Sequence, residues 1–462
     1  MDILQVSYNK LPDYLKPCFL YLAAFREDQQ ILAKSLTRYW IAEGFVQKNE
    51  KKSLEEVANE YLMDLVGRSL LFVAQRSSTY GMKKFVVHDL VRELCLEKAT
   101  EENFLLAPKF SNNLSVDSMH HYYRLCFSDI ECFSSFDSEP TVSAIRTFLS
   151  FAEVDVPTYF FLSFKFLRIL DLVIGNCEID IVDITQLIHL RYLALDGALL
   201  LPPSIVNLSR LEYLVLKSTQ NICYLPKTMW NMKSLRYLNL GRGRFIGMDD
   251  LVDESQLNHL KTFVLHCTCS EEEFKWILKK MPNLRKLGIK LDLCLRLSDF
   301  LNKIESLTLW MYGRALEAKF EFPSSLKKLT IEGDSLLSKS VTSAIGRLPN
   351  LEVLKLLVIE FEDQAWDVED EEFLNLKYLK LLSFDIVQWN VSTYSFPQLQ
   401  QLILKYCDSL LEIPSRFGDL STLRMMKVSR CGGLYNSVQD IVAEQQELGN
   451  MDLKITISDG GL

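Results

Sequence analysis

At 462 residues the chain exceeds one ordinary globular core, so several domains or a repeat array are expected. Hydrophobic residues make up 48% and charged residues 24%, with a net charge of -9, which excludes wholesale disorder and argues against a general nucleic-acid binder. The first residues lack a basic start followed by an apolar run, no apolar stretch is long enough to span a bilayer, and eleven scattered cysteines include no CxxC, so the expectation is reduced thiols in a cytoplasmic or nuclear protein, with the cytoplasm as the expected location.

Over the first hundred residues the pattern is helical, then strand-like. Pro12 suits the first turn of a helix carrying Leu15, Phe19, Leu22 and Ala23 on one side. A second helix passes through Leu36, Tyr39, Trp40 and Ile41 and stops at Gly44. Ser53-Leu-Glu-Glu56 is a capping box that opens a third, with Val57, Tyr61, Leu62 and Leu65 along its apolar face. Leu70 to Ala74 and Phe85 to Val87 then flank Ser77 to Gly81 as strands flank a turn. At His88-Asp89 strand residues give way to a helical pattern in Leu90, Val91, Leu94 and Cys95, with Asp89 as the expected N-cap. Three helices and a hairpin make a winged-helix pattern. With 14 Lys or Arg against 13 Asp or Glu over residues 1 to 100, it lacks the basic balance of a nucleic-acid reader.

From about residue 165 the sequence repeats L-x-x-L-x-L with its first position at Leu167, Leu190, Leu211, Leu235, Leu260, Leu284, Ile304, Leu326, Leu351, Leu376, Leu399 and Leu423, a spacing of 20 to 25 residues. Such a period predicts a leucine-rich-repeat solenoid, in which each L-x-L is a short strand whose leucines pack on the neighbouring coils. Weaker units at Tyr123 to Phe127 and Ile145 to Phe148 start the array near residue 120. Cys407 and Cys431 fall three residues after Leu404 and Val428, where such repeats place Asn or Cys, and are read as structural. The predicted fold class is an α/β leucine-rich-repeat solenoid preceded by a small winged-helix domain, mainly α with a β-hairpin.

On the expected concave face Tyr192, Tyr213 and Tyr237 occupy one column, while Lys355, Lys380 and Lys427 recur between the strand hydrophobics of later coils, with Lys405 one step further. These seven residues are the candidate partner-binding positions, the lysines suited to an acidic protein surface. The run from Glu360 to Glu372 carries Asp or Glu at eight of thirteen positions and is expected to be an exposed loop.

The run LPDYLKPCFLYLAAFREDQQILAKSLTRYWIAEGFVQ, with Cys18 to Phe25 and Trp40 to Phe45 at its heart, resembles the winged helix of plant nucleotide-binding leucine-rich-repeat disease resistance proteins. The resemblance is to the coiled-coil class of the late blight resistance type. Val87-His88-Asp89-Leu90 resembles that family's Met-His-Asp motif, with valine for methionine. The resemblance implies the end of a preceding helical segment at residues 1–10, a winged helix at 11–100, a linker at 101–119 and repeats at 120–462. It also implies an N-terminally truncated member, because the family's GxxxxGK[ST] phosphate loop does not occur in this sequence. His88 and Asp89 would belong to a nucleotide-sensing motif. Without the rest of that pocket no cofactor is expected for this chain alone, whereas the full-length family uses ADP and ATP. The implied partners are a pathogen effector or guarded host protein and the receptor's own nucleotide-binding core, with no nucleic acid and no membrane insertion.

Other chemistries fit less well. In a kinase H-R-D-L loop an arginine separates His from Asp, and here Asp89 follows His88 directly. No acid-base, nucleophile or metal constellation stands out, so the chain is not read as an enzyme. The alternative is an F-box-like repeat adaptor of a ubiquitin ligase, since Leu11-Pro12 before an apolar helix resembles an F-box start. The helix and hairpin pattern continuing to His88 speaks against it.

Overall fold

The computed structural model describes residues 2–76, 81–107, 121–127, 144–154, 159–174, 181–196, 201–217, 223–241, 243–245, 255–266, 271–290, 301–312 and 321–458. It falls into two units, 1–260 and 261–462, each taken by itself below.

The first unit begins with α1 (Asp2–Asn9), α2 (Lys16–Leu20) running on into a 3-10 turn (Tyr21–Ala24), β1 (Ile31–Leu32), α3 (Ala33–Glu43), α4 (Leu54–Gly67), β2 (Phe72–Arg76), β3 (Met82–Val86) and α5 (Asp89–Glu101). Ser53 caps α4 as a full capping box: its side chain accepts from the Glu56 amide, and the Glu56 carboxylate accepts from the Ser53 amide. Gly44 ends α3 in the left-handed conformation at φ 87°, which a residue without Cβ adopts freely. Pro12 lies ahead of its helix rather than in it. Its carbonyl accepts from Leu15 and Lys16, and the helix proper starts at Lys16 with Pro17 in the first turn, where a missing N-H leaves nothing unpaired. β3 pairs antiparallel with both β2 and β1, the latter a two-residue strand too short to leave a period in the sequence.

Among the described residues of this unit the repeat sheet then runs through six parallel strands: β4 (Arg124–Phe127), β5 (Thr147–Val154), β6 (Ile169–Ile174), β7 (Tyr192–Asp196), β8 (Tyr213–Lys217) and Tyr237–Leu240. From β6 onward each pairs in register with the next, so that Ile169, Tyr192, Tyr213 and Tyr237 form one row, while β5 and β6 shift register between Leu149 and Glu153. From Leu167 onward the leucine-type anchors stand two residues before a strand, and all twelve are buried. The parallel ladder needs each anchor to plug the coil behind it, which is why single units do not fold alone. Behind β4 and β5, Phe127, Phe148, Phe160, Phe161 and Phe164 fill the coil interior, with the Phe148 ring 5.1 Å from Phe161 and 5.2 Å from Phe127.

The second unit continues the same architecture with strands Thr262–Leu265, Lys286–Lys290, Ser306–Trp310, Lys328–Leu337, Val353–Phe361, Tyr378–Phe384, Gln401–Lys405, Met425–Ser429 and Lys454–Ser458. The last strand pairs with Met425–Ser429 but carries no leucine anchor, and the sequence reading missed it. Cys407 and Cys431 are buried, and both thiols bond backbone: Cys407 to the Lys405 carbonyl at 3.3 Å, Cys431 to the Ser429 carbonyl at 3.3 Å.

The acidic run is not a plain loop. Ala365–Val368 is a strand paired in parallel with Gln388–Val391, and Trp366 stacks on Trp389 at 5.3 Å with planes 2° apart. Alternation explains it: Trp366 and Val368 point inward, where they are buried. Glu372 is buried too, taking a hydrogen bond from Ser343 Oγ and one from the Glu369 amide.

Candidate functional site

The principal polar cluster of the first unit lies where α3 and α4 meet the strand face of the first repeats. Glu43, the last residue of α3, is wholly buried, and its carboxylate meets the Arg124 guanidinium at 2.6 Å and 3.2 Å while Thr147 Oγ1 donates to the same carboxylate. Arg124 is only 6% exposed, its guanidinium also facing the rings of Phe104 at 4.0 Å and Phe45 at 5.1 Å. A buried ion pair offsets its desolvation only when the remaining donors are satisfied, and here Arg124 also donates to the Phe104 carbonyl at 3.2 Å.

Further along the same face Tyr39 donates to Asp171 at 2.6 Å, and its ring meets Tyr192 edge-on at 4.9 Å. Burial pushes the Tyr39 and Tyr192 hydroxyls well above the ordinary phenol range, with the Asp171 carboxylate adding to both, so each stays a neutral donor. Arg38 lies over Tyr237 at 3.5 Å. Glu55, in the first turn of α4, takes a forked pair of bonds from Arg236 at 2.6 Å and 2.9 Å and one from Tyr213 at 3.4 Å. The apolar part is continuous: Phe19, Trp40 and Phe85 of the winged helix belong to one buried cluster with Cys126, Leu149, Ile169, Ala194 and Val215 of the strands.

This arrangement corrects the reading of the tyrosine column. Tyr192 and Tyr213 are 3% and 1% exposed, sealed beneath the chain's own winged helix rather than presented at an open face, and Tyr237 is half-buried under Arg38. The lysines fall apart as a ladder. Lys355 pairs in register with Lys380, but Ile403 stands between Lys380 and Lys427, and Lys405 sits in the next row beside Leu382 and Ser429. Lys355 and Lys405 lie over the rings of Tyr378 and Tyr406 at 5.3 Å and 4.9 Å.

The helix cap expected at Asp89 falls on His88 instead. His88 is the N-cap of α5, its Nδ1 accepting from the Leu90 amide at 3.4 Å, and Asp89 is the first helical residue, placed to favour the positive helix end. The imidazole has the same reach to the second amide as an Asn side chain, so the cap moves one residue upstream. Both residues are exposed, with Phe72 beside His88 at 6.1 Å between rings. Replacing His88 by alanine is expected to cost less than about 1 kcal/mol, since one long capping bond is lost. Thermal unfolding checks this.

Glu43, Arg124, Asp171, Glu55 and Arg236 were missed because single charges carry no period. The available signal was Glu43 itself, a lone carboxylate in the apolar run Trp40-Ile-Ala-Glu-Gly-Phe45.

A profile described as the disease resistance protein winged helix domain matches residues 24–95, and one described as a leucine-rich repeat region matches residues 144–369. Late blight resistance protein homolog R1B-16 of Solanum demissum is 33% identical over 98% of this chain, and homolog R1B-23 of the same species is 34% identical over 96%. The chain belongs to the plant disease resistance protein family. It spans 37% of the length of each of those two disease resistance relatives and 60% of a third late blight resistance homolog from the same species, which is 33% identical over 94% of this chain. Among solved structures a leucine-rich-repeat protein of Leptospira interrogans overlaps 78% of this chain and 98% of its own at 16% identity, with a TM-score of 0.37. The disease resistance winged helix match runs far past the point where an F-box would end, which does not support the adaptor alternative. Among the described residues no helix is long and apolar enough to cross a membrane, and no cluster of His, Cys, Asp or Glu could hold a metal ion.

Proposed function

We propose that the chain is the recognition and relay part of an intracellular plant immune receptor. Its repeats bind a pathogen effector or a guarded host protein, and the winged helix passes that event to an ADP- and ATP-dependent nucleotide-binding core in the cytoplasm. The work is recognition, not catalysis. What carries the reading is the single apolar and ionic core shared by the winged helix and the first repeats, sealed by Glu43 and Arg124. A partner that binds the repeats shifts this joint only by its difference in affinity for the closed and opened forms. His88 and Asp89 are exposed at the start of α5 and would face the nucleotide core.

Lys355, Lys380 and Lys427, with Lys405, are proposed as the part of the repeats that meets an acidic protein surface. Co-expression of the full chain with a panel of pathogen effectors and host proteins tests both points. The recognised protein should co-purify with the wild-type chain, and K355E/K380E/K427E should weaken that binding about tenfold. Equal binding by the variant removes the lysine face from the account, and capture of none of the panel together with strong capture of a Skp-type adaptor reverses the functional reading.

A further inference from the structure

The residue just ahead of a repeat strand is arginine in three successive coils: Arg146 before β5, Arg168 before β6 and Arg191 before β7. Their backbones are bonded in a ladder, the Arg168 amide to the Arg146 carbonyl at 2.7 Å and the Arg191 amide to the Arg168 carbonyl at 2.8 Å. The side chains are thereby stacked one coil apart. Together with Arg210, His189 and Phe166 they line a cavity of about 350 Å³, and among the described residues its wall contains no Asp or Glu. Arg210 shares a 3.1 Å hydrogen bond with His189, whose ring lies against Phe166 at 5.7 Å.

Among the described residues none of the four arginines has a carboxylate partner. Arg168 donates to the Glu43 main-chain carbonyl at 2.6 Å, and the Glu43 carboxylate itself is taken by Arg124 and Thr147. Burial pulls the Arg168 guanidinium below its ordinary range even with Glu43 near, and Arg146, Arg191 and Arg124 press it further the same way. Four like charges held around one cavity repel one another, with the Glu43 and Glu212 carboxylates acting on Arg168 and Arg191 only at a distance, and planar guanidinium forks match phosphate oxygens two at a time.

We infer that this cavity is a binding site for a small molecule or headgroup carrying two or more phosphates. One phosphate cannot engage guanidiniums distributed over four coils, whereas a polyphosphate can, and the volume is that of a small-molecule site. Through Arg168 the site touches the end of α3, so an occupant neutralises the repulsion next to the joint between winged helix and repeats and tightens it.

Calorimetric titration of the full chain with sodium tripolyphosphate tests the site, alongside sedimentation with phosphatidylcholine vesicles containing phosphatidylinositol bisphosphate. The wild-type chain should bind tripolyphosphate, and R191Q/R210Q should bind roughly tenfold or more weakly, while K286Q/K454Q, at two exposed lysines of the second unit, should be unchanged. Circular dichroism confirms that the variants are folded. If R191Q/R210Q fails to fold, the exposed Arg210 alone, as R210Q, should still weaken binding measurably. Vesicle binding that tripolyphosphate displaces identifies a lipid headgroup as the source, and binding of the soluble anion without vesicle binding identifies a free polyphosphate. Failure of the wild-type chain to bind either probe, or equal affinity in the folded arginine variants, overturns the inference. Binding of a polyglutamate peptide in place of tripolyphosphate also overturns it, in favour of an acidic protein segment.

Discussion

Replacing Glu43 by alanine should destabilise the first unit by roughly 3–5 kcal/mol, the range found when one partner of a buried ion pair is removed. The loss is large because Arg124 would stay behind as a buried cation between Phe45 and Phe104 with its main counter-charge gone, and Thr147 would lose its acceptor. The neighbouring pair behaves differently. Arg236 and Glu55 have side chains 24% and 41% exposed, so water screens them, and Glu55→Ala should cost no more than about 1 kcal/mol. Urea unfolding of the two variants against the wild-type chain measures both. A Glu43→Ala loss as small as that of Glu55→Ala would mean that the joint is held by apolar packing alone.

Gly333→Ala should be comparably severe in the second unit. Gly333 sits at φ +130°, where a side chain is strained, in a bulge of the strand Lys328–Leu337 at which pairing with Val353–Phe361 shifts register between Glu332 and Ser335. A Cβ there would lie 1.6 Å from the Met311 carbonyl oxygen, an overlap no rotamer relieves. The backbone is also held in place, since the Met311 amide donates to the Glu332 carbonyl at 2.8 Å. Strain of about 1–3 kcal/mol and overpacking of about 1–3 kcal/mol together predict a loss of roughly 2–6 kcal/mol. Because each repeat depends on its neighbours, the loss should appear as a lower unfolding midpoint for the whole unit rather than as local fraying. An unchanged midpoint would show that the bulge opens freely.

The repeats were legible because a leucine every 20 to 25 residues has a single physical use, and every anchor stands two residues before its strand. Capping was legible where the motif is long, as at Ser53 and Glu56, and misplaced by one residue at His88, where two adjacent side chains can both reach a helix end. Strands outside the leucine period escaped notice, namely the two residues of β1, Ala365–Val368 inside the acidic run, and Lys454–Ser458. Their signal is an alternation too short or too highly charged to stand out. The site was half legible. The column Tyr192, Tyr213 and Tyr237 was found by register, but register does not say what covers a face. Glu43 and Arg124 lie 81 positions apart, and nothing local to either announces the other.

The winged helix closes over the strand face of the first repeats, and hydroxyl-radical footprinting of the intact chain reads out that closure. Tyr394, 68% exposed, serves as the freely labelled reference. Tyr192 and Tyr213 should be protected in the wild-type chain and become labelled in the Glu43→Ala variant under conditions where circular dichroism still reports folded repeats. Labelling of Tyr192 and Tyr213 at the rate of Tyr394 in the wild-type chain would contradict the account.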